Sequence, residues 1–287
     1  MKWIAYAAGA MLAMASPGLA QSAPQPQPQP PPQQAFPRNP QIAIAYVPPR
    51  DTRFQIIHDR MKQLHVLETL QEFLSPLKLP RTLTIKIDQC GGALTLPYRT
   101  GEPIVLCYEY LRSVYANAPA EGVVMFGQGR RLTRNQAVVG AIVQLVLHQV
   151  ARATFDIAQV PVWGRVSEAA DNVSGFLMLE FGEDVAWTTL MGSAWYLAQQ
   201  GIVGAGFFSD TTRPLDAQRF YSFLCIAYGA RPKRFNFLVN SFNLPERRAR
   251  YCRQDYLKLR GAFRKTILPH IDRALLAQVR SRKWLPN

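Results

Sequence analysis

The sequence LVLHQVARA, residues 145–153, lies inside a segment with the signature of one long helix. Thr133 is followed three residues later by Gln136, a pair that forms a capping box at a helix N-terminus, so we expect a helix from there to about Thr154. Residues spaced three or four apart share one face of a helix. That face carries Ala137, Ala141, Gln144, Leu145, His148 and Arg152.

The same nine residues are close to a metal-binding motif. Zinc peptidases place His-Glu-x-x-His on one helix, where the two histidines bind the metal and the glutamate is the general base. Here His148 holds the first position, Gln149 stands at the glutamate position and Arg152 stands at the second histidine position. The spacing therefore indicates the scaffold of such a site without its full set of donors.

Two further helices are predicted after this one. SEAADNVSGFLMLEF, residues 167–181, has apolar residues at helical spacing, and Glu168 and Asp171 lie near its N-terminus, where the helix dipole favours acids. Residues 185–208 carry no charge, but polar residues and glycines lower their hydropathy, which favours a buried helix followed by a Gly-rich turn over a membrane span.

The N-terminus predicts export. Residues 1–20 form an apolar stretch too short to span a membrane, and it ends in the small-residue cleavage site Gly18-Leu19-Ala20. The Pro/Gln-rich residues 21–40 should form an extended linker, and residues 41–287 are long enough for one domain. We expect a periplasmic or secreted protein with no transmembrane span in the mature chain.

The cysteines fit that compartment. Four cysteines in an exported chain suggest two disulfides, and proximity in sequence favours Cys90 with Cys107 and Cys225 with Cys252, one of three possible connectivities. A zinc site is the alternative, but no Cys-x-x-Cys spacing supports it.

The N-terminal part of the domain should mix helix and strand. Apolar residues at helical spacing predict one amphipathic helix over residues 53–75. TLTIKID, residues 82–88, alternates apolar and polar residues, as a strand near a sheet edge would, and IVLCYEYL, residues 104–111, should be a strand that runs into a helix.

The charge is strongly positive. The whole chain carries +14, of which residues 1–40 contribute only Lys2 and Arg38, so residues 41–287 carry +12. Eight of the residues from Glu246 to Lys265, in a predicted helix, are Lys or Arg. This helix could present an ordinary solvated face or a docking surface for an anionic polymer or membrane. Export makes nucleic acid the least expected partner.

Several segments in this order resemble one family. CGG…IVLCYEYL, VLHQVARA, PVWGRVSEAAD, RFYSFLCIAYGARPKRF and LPERRARYCRQDY resemble the exported zinc metallopeptidases of the DUF4344 family, over most of residues 80–270. The resemblance implies that His148 and Arg152 occupy ligand positions, that Gln149 occupies the general-base position, and that Ser167 stands at the third ligand position. It also implies that the four cysteines match those of the family.

These departures alter the chemistry. Catalytic zinc needs three protein donors, yet a guanidinium has no lone pair to offer and an amide cannot take a proton from water. We therefore predict no metal and no cofactor, and we expect Arg152 to pair with Glu168 or Asp171 across the two helices. Zinc held by His148, Glu168 and Asp171 is the alternative.

Together these observations predict an α+β domain of zincin-like architecture, with a small mixed sheet that has an antiparallel edge and a mostly helical C-terminal part. The leading functional hypothesis is an inactive member of a peptidase family, a pseudoenzyme that binds peptide or an envelope component or has a structural role. The alternatives are an active zinc peptidase with non-standard ligands and a basic module that binds anionic envelope components.

Overall fold

A computed structural model describes residues 39–124, 131–203, 216–239, 244–282 and 284 of the chain. The predicted export signal (residues 1–20), nearly all of the predicted linker (residues 21–40) and the predicted Gly-rich turn after residue 203 lie outside these residues. The remainder is an α+β protein in which helices predominate, as the sequence predicts.

The N-terminal half contains a small parallel sheet. Its strands are β1 (Ile42–Tyr46), β2 (Leu83–Asp88) and β3 (Ile104–Cys107), in the order β1-β2-β3. The alternation predicted for β2 is confirmed, because Leu83, Ile85 and Ile87 are buried while the residues between them are half-buried.

Three expectations about this sheet are wrong. The strand β2 lies in the centre of the described sheet rather than near its edge, and β1, which the sequence analysis did not identify, pairs with it. Both strand pairings are parallel, so the sheet is not mixed. The antiparallel pairing that is present joins β4 (Val123–Val124) to β5 (Arg131–Leu132) in a separate sheet.

The predicted helix over residues 53–75 is broken. A 3₁₀ turn (Thr52–Phe54) precedes α1 (Gln55–Gln63), and α2 (Val66–Phe73) begins after His65, whose φ of 49° is left-handed. A left-handed residue cannot continue an α-helix, so the chain changes direction there. The change lets α2 bury Leu67, Leu70 and Phe73, whereas Leu64 stays 50% exposed.

The remaining helices build the C-terminal half around α4. They are α3 (Tyr108–Asn117), α4 (Arg134–Ile157), α5 (Val166–Glu180), α6 (Glu183–Val203), α7 (Asp216–Ala230), α8 (Glu246–Thr266) and α9 (Arg273–Ser281), with short 3₁₀ turns at Asn236–Leu238 and Leu268–His270. Thr133 caps α4 with the predicted capping box. Helices α5 and α6 both pack on α4, so α4 lies at the centre of the helical layer.

A glycine pair sets the distance between α4 and α6. A Cβ atom placed on Gly192 would lie 2.6 Å from the carbonyl oxygen of Gln136 and 2.8 Å from the Cα of Gly140. Only glycine fits where backbones approach this closely. Among the described residues, α4 is also the helix that is long and apolar enough to cross a membrane. However, 72% of its most apolar 18-residue segment is buried inside the protein, as in the core helix of a globular domain.

Both predicted disulfides are present. Cys90–Cys107 joins the loop after β2 to the end of β3, and Cys225–Cys252 joins α7 to α8. Two disulfides fit an oxidising, exported environment.

Candidate functional site

The candidate site lies where the middle of α4 meets the beginning of α5. Gln144, His148 and Arg152 are spaced four apart on α4, and Ser167 and Asp171 are spaced four apart on α5, so each helix presents one face to the other. Apart from Arg152, which is half-buried, all of these side chains are buried.

A buried carboxylate organises this junction. Asp171 Oδ1 lies 2.7 Å from His148 Nδ1, and Asp171 also accepts hydrogen bonds from Arg219 Nε at 2.7 Å, Arg219 Nη2 at 3.0 Å and Gln144 Nε2 at 3.3 Å. Arg219 belongs to α7, so the carboxylate connects three helices. The Arg219 side chain is only 14% exposed, which makes this a largely buried ion pair.

The charges of this cluster follow from its burial and its hydrogen bonds. Burial by itself raises the pKa of Asp171, but hydrogen bonds from His148 and Arg219 outweigh it and bring the pKa to about 2. Burial lowers the pKa of His148, and the opposing hydrogen bond to Asp171 does not offset it. At neutral pH the imidazole is therefore uncharged and the carboxylate is ionised.

This protonation state fixes the histidine tautomer. An ionised carboxylate can only accept hydrogen bonds, so Nδ1 of His148 must carry the proton and Nε2 must keep its lone pair. Metal-ligating histidines are usually oriented in this way, with the second ring nitrogen donating to a carboxylate. Position 148 thus keeps the geometry of a ligand.

The other two predicted ligand positions contact each other. Arg152 Nη1 donates a hydrogen bond to Ser167 Oγ at 3.0 Å. The residues at the second and third ligand positions implied by the family resemblance are therefore in contact. However, Arg152 is a cation, and the Ser167 hydroxyl accepts its hydrogen bond.

Each of the two acids expected to pair with Arg152 contacts another arginine in the described part of the chain. Asp171 pairs with Arg219, and Glu168 is half exposed and lies 3.6 Å from Arg165 of the same helix. The sequence analysis missed Arg219, although an arginine directly before the mostly apolar segment FYSFLC indicates a charge that needs a buried acid.

Gln149, at the general-base position, has a structural contact. Its Oε1 accepts a hydrogen bond from the backbone N–H of Tyr98 at 2.8 Å, and the side chain is 3% exposed. Tyr98 and Thr100 also donate their hydroxyl groups to Asp156, near the end of α4. The loop between β2 and β3 is therefore fastened along α4, and Tyr98 is a second residue that the sequence analysis missed.

The residues present do not fit a catalytic zinc ion. Such an ion needs three donors and an open position, and this junction offers the lone pair of His148 beside a guanidinium that is already bonded to the hydroxyl at the third position. The alternative donors fit no better, because Asp171 already bonds to Arg219 and Glu168 is turned towards Arg165.

Among the described residues, one group of three clustered side chains of metal-ligating types consists of Cys90, Cys107 and Glu109. Both sulfurs are in a disulfide, and the Glu109 carboxylate accepts hydrogen bonds from the backbone N–H groups of Cys90 and Gly92. This cluster therefore stabilises the start of the loop between β2 and β3 and is not a metal site.

Comparisons with known proteins support the family resemblance. A family model named DUF4344 and described as "Putative metallopeptidase" matches residues 46–267, which include the whole junction of α4 and α5. No curated protein and no solved structure matches the chain. Because the family model covers most of the chain and includes both helices of the candidate site, this protein belongs to the DUF4344 family.

Proposed function

We propose that this protein is a non-catalytic member of the DUF4344 family, in which hydrogen bonds have replaced a metal ion at the junction of α4 and α5. The observation that carries the proposal is the hydrogen bond from Arg152 to Ser167, since it joins two positions that would each have to supply a zinc ligand. The protein would act in the periplasm or outside the cell as a binding or structural protein of the envelope.

The remaining polar groups support the same conclusion. A general base must accept a proton from water, and the Gln149 amide cannot do so. Its oxygen is in addition engaged by the backbone of Tyr98. Loss of the metal would cost this junction little stability, because the Asp171 carboxylate still joins α4, α5 and α7 through His148 and Arg219.

The competing function is an active zinc peptidase with non-standard ligands. The observation that favours it is the orientation of His148, whose Nδ1 donates to Asp171 and leaves Nε2 able to ligate. The protein would then bind about one zinc ion per chain, and removal of that zinc by a chelator would abolish peptide-bond hydrolysis.

Elemental analysis of the purified protein separates the two functions. We expect no stoichiometric zinc and no metal-dependent proteolysis. One zinc per chain, removed together with peptidase activity by a chelator, contradicts the proposal.

A restoration variant tests whether only the donors are missing. The triple substitution Gln149→Glu, Arg152→His and Ser167→Glu supplies the donors that the family motif requires. Position 149 should tolerate the change because a carboxylate can accept the same hydrogen bond from Tyr98. We expect this variant to take up zinc, and the matched control is the same triple variant with His148→Ala, which should not.

A further inference from the structure

The outward face of α8 carries a basic stripe with two apolar side chains. The helix buries Ala249, Cys252 and Phe263 against the protein. On its opposite side, residues spaced three, four or seven apart are exposed to solvent. This outer stripe consists of Arg247, Arg250, Tyr251, Leu257, Lys258 and Lys265.

The cations of the outer stripe are not neutralised by the described protein. The ion pair that α8 does form, Arg248 with Asp255 at 3.2 Å, lies beside the stripe. Arg247, Arg250, Lys258 and Lys265 make no ion pair with any described residue. From Arg247 to Lys265 they extend over about 27 Å of helix, so their positive potential forms a long band.

The two apolar residues of the outer stripe indicate whether its partner is a soluble polyanion or a membrane. Tyr251 is 58% exposed and Leu257 is 45% exposed, between cations on the same face. A soluble polyanion would satisfy the cations but would leave Leu257 in water. A bilayer surface satisfies both, because anionic headgroups attract Lys and Arg while Tyr and Leu reach the boundary between headgroups and acyl chains.

We propose that the outer stripe of α8 docks the protein on the surface of an anionic phospholipid bilayer. The helix would lie in the plane of the membrane and would remain attached to the protein through its buried face and the Cys225–Cys252 disulfide. This inference does not depend on whether zinc binds at the junction of α4 and α5, since α8 contributes no residue to that junction.

The test is co-sedimentation of the protein with vesicles of phosphatidylcholine alone and with vesicles that also contain phosphatidylglycerol. We expect binding to the anionic vesicles only, with weakening as salt rises. Each cation near such a surface contributes about fivefold in affinity, so the triple variant Arg250→Gln, Lys258→Gln and Lys265→Gln should bind on the order of 100-fold more weakly.

Two controls make the test specific to this surface. The triple variant Arg60→Gln, Lys62→Gln and Arg99→Gln removes the same charge at exposed positions elsewhere and should lose no more than about a few fold. The double variant Tyr251→Ser and Leu257→Ser should lose about tenfold for vesicles but keep its retention on heparin, a soluble polyanion. Thermal unfolding of each variant checks that its fold is intact.

Three outcomes overturn the proposal. They are absence of binding to the anionic vesicles, equal losses in the two triple variants, and unchanged vesicle binding in the serine variant. The last of these identifies a surface that recognises charge alone, as a polyanion site would.

Discussion

Replacement of Asp171 by asparagine removes the charge that connects α4, α5 and α7 while keeping nearly the same shape. Against an unfolded pKa of about 3.9, a folded pKa of about 2 corresponds to roughly 2–3 kcal/mol of stability at neutral pH. Removal of one partner from a buried ion pair costs about 3–5 kcal/mol, because the other charge stays buried. We therefore expect Asp171→Asn to lower the free energy of unfolding by about 3 kcal/mol.

The direction of the pKa shift determines how the stabilisation by Asp171 changes with pH. Because the folded pKa of Asp171 lies below its unfolded pKa, its contribution is complete above about pH 4 and is lost as the pH falls through about 2. About half of it should remain at pH 3. The difference between the wild type and Asp171→Asn should therefore be smaller at pH 3 than at pH 7.

Urea unfolding with both disulfides intact measures these differences. The matched control is Glu168→Gln on the same helix, which removes a half-exposed carboxylate and should change stability by less than about 0.5 kcal/mol. If Asp171→Asn is as stable as this control at pH 7, or if its deficit is equal at both pH values, the reasoning about the buried carboxylate is wrong.

Three further predictions test separate parts of the structure. Because burial lowers the pKa of His148 in the folded protein, the free energy of unfolding should fall as the pH drops below about 6.5. The variant His148→Gln should remove this part of the pH dependence. An unchanged pH profile in the variant contradicts the assignment of the effect to His148. Gly192→Ala forces α6 away from α4 and should cost about 1–3 kcal/mol in urea unfolding, whereas Gly261→Ala, in open space, should stabilise the protein by about 0.5–1 kcal/mol. Removal of the Cys225–Cys252 disulfide, which closes a loop with a sequence separation of 27, should cost about 3.5 kcal/mol, and a thermal midpoint equal to that of the wild type argues against this role.

The elements predicted best from the sequence are those with strong local signals. Thr133 and Gln136 mark the start of α4 because a capping box depends on neighbouring residues only. The disulfides follow from the spacing of the cysteines and from the resemblance. Strand β2 shows its alternation, but its neighbours in the sheet depend on β1, more than thirty residues earlier, and no local pattern encodes that pairing.

The break between α1 and α2 shows a similar limit. The apolar spacing continues through residues 53–75, so periodicity alone predicts one helix, and the left-handed conformation of His65 is set by packing of α2 on the core. Tertiary packing overrides local propensity at such positions.

In the candidate site, the family resemblance predicted that residues 152 and 167 lie close together. It did not predict which hydrogen bonds and ion pairs the residues of this site form. The resemblance places both residues at ligand positions and therefore near each other. Which acid meets which arginine depends on α7, and the position of Arg219 relative to Asp171 cannot be read from α4 and α5. The backbone contact of Gln149 also depends on a loop about fifty residues away in sequence.

The contact between Gln149 and Tyr98 shows that position 149 could serve two roles that conflict, as an anchor for the loop and as a general base. A glutamate there could accept the same backbone N–H, but that hydrogen bond would favour its ionised form and make it a weaker base. Proton abstraction from water would then have to compete with the loop for the same oxygen. An amide holds the loop without this conflict, so a chain that no longer needs a base at position 149 can make the anchoring of Tyr98 permanent.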